Sequence, residues 1–327
     1  YKQDEKSFVD FEDVKGEEAV KRALVIAAAG GHNICMYGPP GTGKTMLAKA
    51  FTYILPHLSR EEIFEVTGIH SVSSNIAELI TMPPLRAPHH TASHVSLVGG
   101  GAVPKPGEIT LAHRGVLFMD EFPEFEKESL EALREPLEEG KVTISRARGT
   151  ISYPAKFIMV AAMNPCPCGY YNHPQKECVC GPGVVKKYLS RVSGPLLDRI
   201  DLHVEVTPVS YDDLSNEEVR GETSETIRTR IIKAREIQST RFDGLPEVFA
   251  NAQMSGPLLR EVCALNQAGN LLLKTAMEKL QLSARAYDRI LKVARTIADL
   301  AGSEDIKIEH LAEAIHYRTL DREGWAG

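Results

Sequence analysis

Eight residues restrict what this chain can fold into more than any composition figure does. Gly38-Pro-Pro-Gly-Thr-Gly-Lys-Thr45 satisfies the phosphate-loop pattern G-x-x-x-x-G-K-[S/T] at every defined position. Asn33 to Tyr37 before it reads as a short buried strand and Met46 to Tyr53 after it as an amphipathic helix, so the glycines fall at a strand-to-helix turn. Gly38, Gly41 and Gly43 allow positive φ, which lets successive N–H groups line an anion nest at a helix N-terminus. We therefore take Gly38, Pro39, Pro40, Gly41, Thr42, Gly43, Lys44, Thr45 and Met46 as candidate ATP-binding residues. Lys44 is placed to reach the β- and γ-phosphates, and the Thr45 hydroxyl to ligate Mg²⁺.

A phosphate loop needs partners from neighbouring strands. Val116 to Met119 is a wholly apolar strand ending in Asp120-Glu121, as expected where a buried parallel sheet meets its ligand edge. Asp120 is the candidate for the Mg²⁺ shell and Glu121 for the general base that polarises the attacking water. A second apolar run, Phe157 to Ala162, leads to Asn164, which is suited to orient that water and sense the γ-phosphate.

The remaining segments give weaker signals. Glu62 to Ala112 is rich in proline and glycine and longer than a crossover helix requires, so it reads as an insertion over one face of the sheet. Its Arg86-Ala-Pro-His-His90 cluster, with His94, is either a phosphate or subunit contact or a polar loop. A helix is expected from Glu126 to Glu139. Lys141 to Ser152 alternates and leads back out through Ile151 and Tyr153, a β-hairpin whose tip carries Arg146 and Arg148. Those arginines can contact phosphates of a threaded strand, or decorate a solvated hairpin. Cys166, Cys168, Cys178 and Cys180 form two C-x-C pairs, the density of a tetrahedral zinc site in a cytosolic protein. A redox pair, or His173 in place of one sulfur, also fits. Cys35 and Cys263 sit in apolar surroundings and read as core.

With 327 residues and 43% hydrophobic side chains, the chain can hold one large domain or two unequal ones. A formal charge of −6 excludes a globally basic nucleic-acid binder, so such contacts must come from local patches. It shows neither a signal peptide nor an apolar run of about 18 residues, so a cytoplasmic address without membrane is expected. Its start without Met suggests a piece of a longer protein. After Ser210 helical spacing dominates, and Arg285 opens one of those helices, where a positive dipole end makes a cation unusual without an anionic partner.

Together these motifs resemble the AAA+ ATPases, and within them the magnesium-chelatase-like group that includes the ComM/YifB proteins. The resemblance implies an α/β P-loop core over residues 1–209, with a parallel sheet, a helix-2 insert and a presensor-1 β-hairpin. It also implies a smaller α-helical lid over 210–327 and a zinc-binding insertion near 164–184. Gly38 to Thr45 becomes Walker A, Asp120-Glu121 Walker B, Asn164 sensor 1, Arg199 the arginine finger and Arg285 sensor 2. Lys44, Glu121, Asn164, Arg199 and Arg285 are then the catalytic set, with ATP, Mg²⁺ and structural Zn²⁺ as cofactors. The family implies homo-hexameric rings with DNA in the pore and branch migration in natural transformation. Chelatase-like remodelling of a protein or tetrapyrrole partner is the alternative.

Overall fold

The computed structural model describes residues 8–75, 78–218, 221–318 and 321. Among them the strands run in chain order as β1 (Ile34–Tyr37), β2 (Leu85–Arg86), β3 (Gly99–Gly100), β4 (Lys105–Pro106), β5 (Val116–Met119), β6 (Lys141–Arg146), β7 (Gly149–Pro154), β8 (Ile158–Met163) and β9 (Leu202–Glu205). They are distributed over two compact units. One contains the described residues up to Tyr37, Tyr53–Leu55 and those from Ile200 onward; the other contains Gly38–Thr52 and Pro56–Arg199. None of the described helices is long and apolar enough to cross a membrane.

The second unit carries the phosphate loop. Its strands β2, β5 and β8 pair in parallel, with Leu85 opposite Val116 and Val116 opposite Ile158. Every residue of β5 and β8 is buried, which is why both strands read as unbroken apolar runs rather than as alternation. Parallel register brings the C-terminal ends of β5 and β8 to one edge, and with them Asp120 and Asn164. The hairpin β6–β7 pairs from Lys141 with Pro154 to Arg146 with Gly149, as the alternation predicts.

Two expectations for this unit change. The segment read as an insertion begins with a 14-residue helix, Arg60–Ser73, started by a capping box between Ser59 and Glu62. The same segment returns Leu85–Arg86 to the sheet beside β5, so it supplies an edge strand as well as a cover. Only Val66 of that helix is buried, so it lacks the apolar stripe that periodicity detects. The expected helix over 126–139 is two, Lys127–Glu131 and Arg134–Glu139. Pro136 explains the break: in one continuous helix it would delete an interior hydrogen bond, whereas in the first turn of the second helix its missing N–H costs nothing.

In the first unit β1 pairs in parallel with β9, Ile34 opposite Leu202. The helix Glu18–Gly30 is buried on every side from Ala23 to its end, and Gly31 ends it in the left-handed conformation with φ 69°. Its last carbonyls are satisfied by side chains of the helix Ser224–Arg241: Arg235 donates to Ala28 O and Gln238 to Ala29 O. The helices Gly256–Val262, Gln267–Lys279, Ala284–Leu300 and Ile308–His316 complete it. Ala284–Leu300 is the most buried of these and carries a polar seam. Asp299, which has no side-chain exposure, accepts from Arg241 at 2.7 and 2.8 Å, from Asn251 at 2.8 Å and from Arg295. His32 bridges Asp201 and Thr296 at 2.7 Å each, so both of its buried ring nitrogens are satisfied.

Candidate functional site

The loop 38–45 leaves β1 and is anchored at its first residue, where Gly38 N donates to Met163 O at the end of β8. Gly41 and Gly43 take φ of 77° and 86°, a conformation that L side chains rarely adopt. Thr42 is buried and turns its hydroxyl inward to donate to Pro39 O. Lys44 opens the helix Lys44–Ile54, and its ammonium donates to Gly38 O at 2.8 Å, Pro39 O at 2.9 Å and Asn164 Oδ1 at 3.3 Å. The Thr45 hydroxyl lies 3.5 Å from Asp120 Oδ2. Met46, next along the helix, is half exposed.

Sequence reasoning placed Lys44, Thr45, Asp120 and Asn164 in one site, and the structure gathers them within hydrogen-bond reach. An ammonium, a hydroxyl, a carboxylate and an amide at one sheet edge form a donor set for a phosphate and a hard cation. Glu121 follows Asp120 with its N–H donating to Asp120 Oδ1 at 2.8 Å, and it sits in the left-handed region with φ 50°. That conformation is costly for a residue with a side chain, and it turns Glu121 away from the strand direction. Its carboxylate meets His90, with Nε2 3.2 Å from Oε2. His90 in turn lies against the His89 ring and edge-on to Phe125. The pairing of His90 with Glu121 was missed from sequence: the histidine cluster was visible, but its acidic neighbours are some thirty residues further along the chain. Arg86 from the same cluster makes a bidentate pair with Glu108, at 2.6 and 2.8 Å.

The outer candidates fall elsewhere. Arg199 pairs with Glu138 at 3.0 Å. Arg146 donates to Gly101 O in the β3–β4 turn, which places the two hairpin tips side by side, and Arg148 is exposed. Arg285 belongs to the other unit, where it is the exposed second residue of the helix Ala284–Leu300.

The four clustered cysteines converge. Among the described residues, their sulfur atoms all lie within 4.8 Å of one another, with Cys166 to Cys168 at 3.3 Å, Cys168 to Cys178 at 3.5 Å and Cys166 to Cys178 at 3.8 Å. Tetrahedral Zn–S bonds of about 2.3 Å require sulfurs roughly 3.8 Å apart, so the set fits a zinc ion. His173 is not in this group, and its Nδ1 accepts from the N–H groups of Gln175 and Lys176 at 3.0 Å. The Tyr170 backbone N–H beside Cys168, with help from the neighbouring thiols, holds that thiol down to about 6. One sulfur is therefore ready as a thiolate near neutral pH. Cys35 and Cys263 are buried core residues, as expected.

Comparison with known proteins agrees with this architecture. The family model described as "Magnesium chelatase, subunit ChlI" matches residues 10–214, and its C-terminal counterpart matches 221–318. The chain belongs to the magnesium-chelatase-like AAA+ family. It is 48% identical over 319 residues to the competence protein ComM of Haemophilus influenzae, a match covering 97% of this chain and 61% of that protein. It is also 48% identical to YifB of Escherichia coli, covering 96% of this chain and 61% of YifB. The magnesium-chelatase subunit ChlI of Mesostigma viride is more distant, 23% identical over 77% of this chain and 66% of its own length. The chain thus spans about three fifths of the length of its ComM and YifB relatives.

Proposed function

We propose that this chain is an ATP-hydrolysing ring motor that moves along DNA. The observation that carries the ATPase reading is the convergence of Lys44, Thr45, Asp120 and Asn164 at the ends of two parallel strands. Mg²⁺ would be held by Thr45 and Asp120, and it would supply charge neutralisation between the phosphates. Lys44 exchanges a loop carbonyl for phosphate oxygens. The loop N–H groups bind the β-phosphate, Asn164 orients water, and Glu121 takes its proton, with His90 fixing the carboxylate's direction. Arg199, in the AAA+ manner, completes a neighbouring subunit's site from the segment just before β9, and Arg285 in the 210–327 lid senses the bound phosphates. The cysteine cluster holds zinc.

The DNA reading is supported by the name of the competence relative and by the paired hairpin tips carrying Arg146 and Arg148. Branch migration in natural transformation, a hexameric ring and a cytoplasmic address follow from the same likeness. A chelatase-like remodelling ATPase is the second reading, favoured by the description of the matching family model. One experiment separates them: phosphate release is measured with and without single- and double-stranded DNA, and binding is titrated against salt. Stimulation by DNA, with affinity falling steeply as salt rises, supports the motor. An ATPase indifferent to DNA, with no salt-dependent binding, overturns it in favour of the remodelling reading.

A further inference from the structure

The cysteine loop does not stand apart from the phosphate loop. Cys166 is buried two residues beyond Asn164, and the turn that follows is drawn tight around its sulfur: Gly169 N donates to Cys166 O at 3.0 Å and lies 3.2 Å from Cys166 Sγ. That turn places Gly169 directly against the phosphate loop. A methyl group built on Gly169 would lie 2.5 Å from Pro40 Cδ, 3.2 Å from Pro40 Cγ and 3.7 Å from Asn164 Cγ. A separation of 2.5 Å between carbons is far inside van der Waals contact, and a proline ring cannot rotate away from it. Gly169 also has φ 87°, so glycine is required at this position both by conformation and by space.

Three links therefore join one strand end to the phosphate loop. Met163 O accepts from Gly38 N, Asn164 Oδ1 accepts from Lys44 Nζ, and the Gly169 backbone abuts Pro40. The first two are held by β8. The third is carried by the turn closed around Cys166, since Gly169 lies six residues past the end of that strand.

We propose that the metal-loaded cysteine cluster is a brace for the phosphate loop, so that ligation at Cys166, Cys168, Cys178 and Cys180 sets nucleotide affinity. This rests on the nucleotide-site and zinc readings above and adds a regulatory coupling between them. With the four thiolates on one ion, the 166–169 turn is locked and presses on Pro40, keeping the loop's N–H groups convergent. Without the ion, like-charged or protonated sulfurs separate, the turn loosens and the loop loses its outer wall. Gly169 and Pro40 are positioning residues in this scheme, since they act through the loop's backbone.

The test uses the full chain and reads two quantities besides activity: zinc per chain by elemental analysis, and affinity for a fluorescent ATP analogue. Gly169→Ala is expected to keep its zinc and to lose about tenfold or more in affinity, because the added methyl pushes Pro40 outward. Pro40→Ala and the double variant complete a cycle, and the double variant is expected to bind better than Gly169→Ala alone. Wild-type protein stripped by a chelator that takes zinc and leaves magnesium should lose a similar factor and regain it on adding zinc, with the far-ultraviolet circular dichroism unchanged. Zinc-replete Gly169→Ala that binds as tightly as wild type overturns the contact as a brace. Stripped protein that binds as tightly as loaded protein overturns the coupling. Wild-type protein that binds nucleotide but contains no metal sinks the brace while leaving the nucleotide site intact, and protein that holds zinc but binds no nucleotide sinks the nucleotide reading itself.

Discussion

Glu121 offers two measurable consequences from one position. Its carboxylate is the proposed general base, and its backbone is left-handed, with φ 50°. Glu121→Gln preserves size and lets the side chain keep a hydrogen bond to His90, but an amide cannot accept the water's proton. Turnover should fall by about 10²- to 10⁴-fold, the usual worth of a positioned base. Nucleotide affinity should stay near wild type, because Lys44, Thr45 and Asp120 are untouched. Glu121→Gly loses the same base but relieves the backbone. The left-handed conformation costs an L residue about 1 to 2 kcal/mol, and glycine gives back about 0.5 to 1 kcal/mol through the freedom of the unfolded chain. The glycine variant, which also gives up the exposed hydrogen bond to His90, should therefore be more stable than the glutamine variant by up to about 1.5 kcal/mol. The glutamine variant is the proper reference, since both lack the negative charge next to Asp120. Phosphate release, analogue binding and urea unfolding on the three proteins measure all of this. A glutamine variant that hydrolyses within tenfold of wild type would refute the base assignment, and a glycine variant less stable than the glutamine one would refute the strain.

Arg199→Ala should hydrolyse poorly, and Lys44→Ala should lose nucleotide affinity. Mixing the two should restore activity if Arg199 serves a neighbour, because each mixed interface can pair an intact phosphate loop with an intact arginine; no recovery in verified mixed assemblies sinks the trans role. His203 gives a stability prediction with a definite sign. It is buried, neither ring nitrogen finds a hydrogen-bond partner among the described residues, and burial together with Arg318 pushes its pKa well below the ordinary value. The folded protein keeps it neutral while the unfolded chain takes up a proton below about pH 6.5, so stability should decline as pH falls through that value, by at most about 1.4 kcal/mol per pH unit for this group. His203→Phe should flatten that decline in urea midpoints measured between pH 7.5 and pH 5.5, and parallel curves for the two proteins would show that His203 is not its source.

The strand ends that carry Asp120 and Asn164 were legible in the chain because each is encoded locally. The phosphate loop has fixed spacing, and β5 and β8 are fully buried, so both appear as apolar runs that end in Asp120-Glu121 and Asn164. The hairpin β6–β7 was equally plain, since one of its faces is solvated and alternation survives. The helix Arg60–Ser73 was not, because burying Val66 alone leaves no stripe to read. Nor was the edge strand Leu85–Arg86, whose two residues carry no period at all and become a strand only by lying beside β5.

Contacts between distant segments were decided by tertiary structure alone. The motif named Glu121, but nothing within a few residues of it announces His90. The cysteine spacing suggested a metal, yet convergence of all four sulfurs without His173 depends on how the turns close. Gly169 is the sharpest case. In sequence it is one glycine among twenty-five, and only the folded chain shows a proline of the phosphate loop where its side chain would have to be. Local pattern specifies which strand ends carry the clustered polar residues, because burial and turn conformation act over a few residues. Which side chains meet there is set by packing between segments far apart in the chain, and no short window of residues encodes it.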